Sequence, residues 1–303
     1  MPALKSLRMR LKRLTRQLML IFSVLLVAWI VAVQAGCFAM RTPDGEWAEK
    51  MKSRGQTLAP VFLDVPDGGG RMIHAVYVAA SDSLPLVVLV HGSPGSADNY
   101  LDYLADTMLT RVARLVAIDR PGFGYTQGFG RAEPSQAAQA AAVWAVVRHL
   151  SPRGKVWLVG HSLGGPVIAR FAMDYPEQTA GLVLVAASID PGQEEHPWWQ
   201  SAIHPPPLKW VIPKSLWASN AEIKPLEGEL RKMLPLWERV VCPVRVVHAL
   251  DDRLVPVANA DFAQRVLQNS PDVTLRILPD GDHFILWNRY ATVKQELLEG
   301  LGH

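Results

Sequence analysis

Between two apolar runs of different periodicity stand Gly160-His161-Ser162-Leu163-Gly164-Gly165, with KVWLV before them and PVIARFAM after. A serine on a sharp strand-to-helix turn is a candidate nucleophile, because unfavourable backbone angles there project its Oγ above a sheet. Such a turn needs Gly160 and Gly164, since at both positions the chain passes so close to neighbouring backbone that a Cβ would clash. Leu163 would then open a helix, and its free N–H and the helix dipole would face a developing oxyanion. The competing reading is a glycine-softened loop in which the serine does no chemistry. A serine nucleophile also needs a base and an acid. His283 in RILPDGDHFILWN and the pair Asp251 and Asp252 in VVHALDDRLVP each sit just past a strand-like run.

The elements that must position these groups can be read from the alternation of patterns beginning near Ala59. VFLDV and MIHAVYVA, separated by the turn signal DGGGR, predict an antiparallel pair. LPLVVLVHG, RLVAIDRPG, KVWLVGHS, AGLVLVAAS, PVRVVHAL and VTLRILPD are near-continuous β-branched runs, as expected for parallel strands buried on both faces. Helices are expected at 98–109, 134–150, 166–175, 259–268 and 288–298, with Ser135 as the N-cap of the second. The result is an α/β fold with right-handed crossovers and a mostly parallel sheet covered on both faces. Residues from about 190 to 241 break the rhythm. They carry no strand signal, the run HPPP at 204–207, and five of the ten tryptophans: Trp198, Trp199, Trp210, Trp217 and Trp237. Such an insertion is a candidate lid over the strands' C-terminal edge, or an excursion whose tryptophans simply pack on the core.

The net charge of +3 is set by the N-terminus. Six of the 31 basic residues precede Cys37 in a stretch without an acid, which leaves 25 basic against 28 acidic residues beyond it. The body is therefore mildly acidic, and no basic patch argues for a nucleic-acid partner. Residues 1–36 read as an export signal or membrane anchor. The basic stretch precedes sixteen uncharged residues, Leu18 to Val33, with the positive end retained in the cytoplasm. VQAGC resembles a bacterial lipoprotein processing site in which Cys37 would become lipidated, although Gln34 stands where a Leu-like residue is usual. A lipoprotein, an uncleaved anchor and a merely buried Cys37 all put the body at a membrane, outside the cytoplasm. That location is periplasmic, or the outer membrane for a lipoprotein. Residues 37–58 read as a linker and 59–303 as the folded domain. Cys242 is the only other cysteine; it reads as a small buried hydrophobe, and no Cys/His cluster has metal-ligand spacing.

With a strand before it and a helix after it, the Ser162 turn resembles the nucleophile elbow of the α/β-hydrolase superfamily, serine-nucleophile branch, and the likeness runs from about Pro60 onward. The resemblance implies several further roles. His91-Gly92 in LVVLVHGSPG matches the oxyanion-hole loop, making the Ser93 and Leu163 N–H groups the two donors, with His91 and Gly92 as loop support. AIDRPGFGYT matches the loop after the next strand, which arranges the site without doing chemistry. The family's acid, followed by two residues and then Val-Pro, selects Asp252 over Asp251; relatives with the acid one strand earlier make Asp190 a rival. His283 falls where the family places its base, and His161 packs beside the site. The implied reaction is hydrolysis of a carboxylic ester or thioester through an acyl-enzyme, with no cofactor; the Trp-rich insertion and the membrane tether favour an apolar acyl substrate. Amidase, C–C hydrolase and perhydrolase chemistry share the same residues, whereas dehalogenases and epoxide hydrolases use a carboxylate at the elbow. A membrane-anchored binding protein on the same fold is the non-enzymatic alternative. The leader, RTPDGEW and ASIDPGQEE together resemble bacterial membrane-associated or lipoprotein hydrolases.

Overall fold

The computed structural model describes residues 2–151, 154–195 and 205–303; Trp198 and Trp199 of the expected lid lie outside the described residues. Among the described residues eight strands form one sheet: β1 (Val61–Pro66), β2 (Met72–Val78), β3 (Leu86–Val90), β4 (Arg114–Ile118), β5 (Val156–His161), β6 (Thr179–Val185), β7 (Val244–Ala249) and β8 (Val273–Leu278). Their spatial order is β1-β2-β4-β3-β5-β6-β7-β8. β1 and β2 form the expected antiparallel hairpin, β2 joins β4 antiparallel, and every later pairing is parallel. The hairpin turn is tied by Asp67 Oδ1, which accepts the N–H groups of Gly69 and Arg71 at 2.7 and 2.9 Å.

The helices among the described residues are α1 (Pro2–Gln34), α2 (Asp44–Lys52), α3 (Leu101–Leu104), α4 (Leu109–Val112), α5 (Gln136–Leu150), α6 (Gly164–Asp174), α7 (Lys214–Ile223), α8 (Leu226–Met233), α9 (Ala258–Val266), α10 (Ile285–Asn288) and α11 (Tyr290–Gly300). They cover the sheet on both faces because side chains alternate along each strand. Val88 and Val90 of β3 join Val167 and Phe171 of α6 and Val143 of α5 in one core. Val87 and Leu89 face the other way, into a second core with Trp47 and Met51 of α2 and with Val293 and Leu297 of α11. β8 departs from the expectation of two buried faces: it is the edge strand, and Arg276 and Ile277 are exposed.

Two further sequence expectations change. The helix expected over 98–109 is a 3-10 turn (Ala97–Tyr100) followed by α3 and, separately, α4. Asp106 makes the break, because its Oδ1 accepts the N–H groups of Met108 and Leu109 and so starts a new helix. The segment 37–58, expected as a linker, packs into the body from Arg41 onward. Trp47 and Met51 are fully buried, and Gln56 donates to Thr110 Oγ1 at 3.1 Å. Amphipathic spacing over nine residues is too short a signal to separate such a helix from a linker.

Residues 8–34 of α1 form a 27-residue stretch apolar and long enough to cross a membrane. At 1.5 Å per residue it reaches about 40 Å, against roughly 30 Å of hydrocarbon. The insertion between β6 and β7 contains, among the described residues, α7, α8 and 3-10 turns at Pro191–Gln193, Pro206–Trp210 and Leu234–Arg239. Leu226, Leu230 and Met233 of α8 bury into the first core, as does Trp237, edge-on to Phe262. Trp210 by contrast is 53% exposed.

Candidate active site

Ser162, Asp252 and His283 all follow the C-terminal ends of parallel strands, β5, β7 and β8, the edge at which open α/β sheets gather ligands. Ser162 has φ +53°, one of three non-glycine residues with positive φ among the described residues. For a residue with a Cβ this is a strained backbone, of order 1 kcal/mol, held by its surroundings. Its N–H donates to Val185 O (2.9 Å), and its carbonyl accepts from Gly165 N (2.9 Å) and Ser188 N (3.3 Å). The flanking glycines have the close approach that such a turn requires. A Cβ on Gly160 would lie 2.5 Å from Gly164 O, and one on Gly164 would lie 2.2 Å from Val90 O.

From Ser162 a hydrogen-bonded line runs inward. His283 Nε2 is 3.0 Å from Ser162 Oγ, and His283 Nδ1 is 2.8 Å from Asp252 Oδ2. The other Asp252 oxygen accepts the N–H groups of Leu254 (2.9 Å) and Val255 (2.8 Å), so the DDRLVP turn holds the carboxylate by its own backbone. Burial pushes the Asp252 carboxyl upward, but the His283 and Val255 hydrogen bonds outweigh it and hold the group below the usual carboxylate range. Asp252 is therefore ionised near neutrality, and the proton between the two side chains belongs on His283 Nδ1. His248 of β7 donates from Nε2 to Val255 O (2.9 Å), bracing the same turn. Of the rival acids, Asp251 is exposed. Asp190 caps the Pro191–Gln193 turn, accepting from Gly192 N at 2.8 Å, and its other oxygen lies 3.7 Å from Arg265.

The loop after β3 lies against the nucleophile: a Cβ on Gly92 would come within 2.9 Å of Ser162 Cβ. Among the described residues neither the Ser93 N–H nor the Leu163 N–H donates to a protein acceptor. His161 packs beside the line, its ring 5.0 Å from that of His283, with Nε2 3.0 Å from His283 O. Burial, then the neighbouring His283, pushes the His161 imidazole down to about 3, so it acts as a neutral strut. The loop Asp119–Thr126 also organises the site. Asp119 accepts from Ala97 N (2.7 Å) and Tyr125 N (2.8 Å) and meets His74 Nδ1 at 2.8 Å. Sequence reasoning left out two groups: His248, whose place in an apolar strand pattern gives no sign of its contact with Val255, and Glu222, discussed below.

The model of a family described as alpha/beta hydrolase fold matches residues 85–210. A 2-hydroxy-6-oxononadienedioate/2-hydroxy-6-oxononatrienedioate hydrolase of Pseudomonas sp is 23% identical over 277 residues, covering 79% of this chain and 95% of its own. A pimeloyl-[acyl-carrier protein] methyl ester esterase of Pectobacterium carotovorum is 35% identical over 102 residues, 34% of this chain and 36% of that protein. Several of the curated relatives are matched over only about a third of their own length. The crystal structure of a bacterial membrane phospholipase A shares the fold with a TM-score of 0.63 at 21% identity, covering 96% of this chain and 99% of that one. The strand order, the turn after β5 and these matches together show that the chain has the α/β-hydrolase fold.

Proposed function

We propose that the chain is a serine hydrolase that cleaves a carboxylic ester or thioester of an apolar acyl substrate through a covalent acyl-enzyme. The observation that carries this reading is the continuous line from Ser162 Oγ through His283 to Asp252, beginning at a backbone-strained serine. In the first half-reaction Ser162 Oγ attacks the acyl carbon as its proton passes to His283 Nε2. Asp252 holds the Nδ1–H tautomer and stabilises the imidazolium, and the N–H groups of Ser93 and Leu163 receive the oxyanion. The acyl–oxygen or acyl–sulfur bond then breaks, and His283 returns the proton to the leaving group. Water repeats the sequence to release the acid and free Ser162.

The apolar substrate is supported by where the insertion meets α1. Trp29 Nε1 donates to Val211 O (2.7 Å), and Gln34 Nε2 reaches Trp210 O (3.3 Å). Phe38, Met40, Trp210 and Leu216 are exposed apolar side chains on the segments near the end of the apolar helix, where Trp29 meets the Phe38 ring and Ser215 Oγ donates to Phe38 O at 3.0 Å. A Trp near a helix end is the usual marker of a membrane interface. We read α1 as an anchor spanning a membrane, with its basic end in the cytoplasm and the enzyme body on the far side. Cleavage before Cys37 would discard both of those hydrogen bonds, which favours a retained anchor over a lipoprotein.

Two measurements test these readings. A fluorophosphonate probe is expected to label the folded protein and to lose that labelling in Ser162→Ala; labelling that persists in the variant, or is absent from folded wild type, overturns the nucleophile. Intact-mass analysis of membrane-extracted protein is expected to find α1 present. A chain beginning at a diacylated Cys37 would reverse the assignment of the anchor.

A further inference from the structure

Arg120, at the end of β4, and Glu222, on α7, have side chains with no solvent exposure at all. They meet as a bidentate pair, Nη1 to Oε2 at 2.8 Å and Nη2 to Oε1 at 2.9 Å. The remaining guanidinium donors go to Gln139 Oε1 (2.6 Å), His91 O (2.8 Å) and Gly92 O (2.8 Å). All five N–H donors are therefore satisfied, and two of them grip the backbone of the loop that carries Ser93. His91 completes the enclosure. Its Nε2 accepts the Arg120 N–H at 3.0 Å, which leaves the proton on Nδ1, 2.6 Å from the same Gly92 oxygen. Burial, then the charge of Arg120, pushes the His91 imidazole down to about 3, so this neutral tautomer persists near neutrality.

The Gly92 carbonyl and the Ser93 N–H belong to one planar peptide unit and point in opposite directions. Two donors that fix the carbonyl therefore fix the direction of the N–H. A charge-assisted bond to that carbonyl also polarises the peptide and strengthens its N–H as a donor. We propose that Arg120, seated by Glu222, is a positioning residue for the oxyanion hole: it aims the Ser93 N–H at the acyl oxygen and makes that aim depend on the docking of α7. The proposal rests on the serine-hydrolase reading. It adds a coupling between the insertion after β6 and the oxyanion loop, across the 102 residues that separate Arg120 from Glu222.

A purely structural ion pair can be replaced by two apolar residues with little loss of stability, whereas removing one partner strands a buried charge. This separates the two roles. In the full chain, Glu222→Gln, Arg120→Met and the double variant Arg120→Met/Glu222→Met are compared for Tm, for kcat and KM on a p-nitrophenyl ester, and for inhibition by a trifluoromethyl ketone. The double variant is expected to recover most of the Tm lost in Arg120→Met. Its kcat should stay about 10- to 100-fold low with KM little changed, and the ketone should weaken in parallel, as for a misaligned oxyanion donor. A folded double variant with wild-type kcat and ketone affinity overturns the proposal. Hydrogen exchange of the Ser93 amide, which needs no activity, gives an independent reading. If wild type shows no Ser162-dependent turnover, the hydrolase reading falls; faster exchange at Ser93 in the double variant still supports the clamp, and unchanged exchange refutes it.

Discussion

Asp252→Asn is expected to lower kcat for p-nitrophenyl ester hydrolysis by about 10⁴-fold, the scale seen when the acid of a Ser-His-Asp set loses its charge. The reason lies in both Asp252 oxygens. Oδ1 is held by the N–H groups of Leu254 and Val255, which leaves Oδ2 as the acceptor for His283 Nδ1–H. In the variant the amide oxygen is drawn to those two backbone donors, and its NH₂ is turned toward His283. The imidazole must then present a lone pair at Nδ1 and carry its proton on Nε2, where it can no longer accept the Ser162 proton. KM should change little, because Asp252 is buried behind the histidine and does not face the substrate. Asp251→Asn and Asp190→Asn provide the contrast. Asp251 is exposed, and Asp190 is engaged with Gly192 N and Arg265, so both variants should retain turnover within a few-fold of wild type. Loss of activity in Asp190→Asn with retention in Asp252→Asn would overturn the assignment of the acid.

Gly164→Ala is expected to cause the second large loss. The new methyl would lie 2.2 Å from Val90 O and 2.8 Å from His91 O, both backbone atoms of the strand and loop that lead to Ser93. Neither can rotate away, so the start of α6 must separate from the end of β3. Forced overpacking of this kind costs about 1–3 kcal/mol, or more where backbone is involved. The catalytic consequence is greater. Moving α6 away from β3 separates the Leu163 N–H from the Ser93 N–H, and a displacement near 1 Å costs on the order of 10²-fold in rate. A lowered Tm by calorimetry together with a kcat reduced at least about 100-fold is the expected pair of results. A variant with wild-type kcat would show that the elbow does not depend on this contact. Gly228→Ala is a control: it lies on α8 with open space around it, and should be neutral or slightly stabilising.

Much of the architecture was legible locally. The β-branched runs at β3, β5, β6 and β7 are buried along almost their whole length, as parallel strands covered by helices must be. Ser135 caps α5 through Ala138 N, as its position before an Ala-rich run implied. The misreadings have local causes. A single side chain, Asp106, interrupts what reads as a continuous helix, because competition between an aspartate and the helix backbone cannot be seen in the apolar spacing alone. The short helix α2 carries its two buried anchors, Trp47 and Met51, four residues apart in an otherwise polar stretch, so its attachment to the body became clear only once its neighbours were placed.

By itself the sequence determined the candidate nucleophile, the strands that would carry acid and base, and the glycine positions of the turn. Each is a matter of residue type at short range, where backbone sterics act. Choosing among Asp190, Asp251 and Asp252 required a resemblance, since adjacent carboxylates look alike until one of them meets a particular nitrogen. Only the tertiary structure brought His283 within 3.0 Å of Ser162 across 121 residues and closed Arg120 onto Glu222. Hydrogen bonds and buried charges depend on distances through space. A chain specifies these only by packing both faces of its sheet, and no spacing along the sequence records which distant carboxylate a buried guanidinium will find.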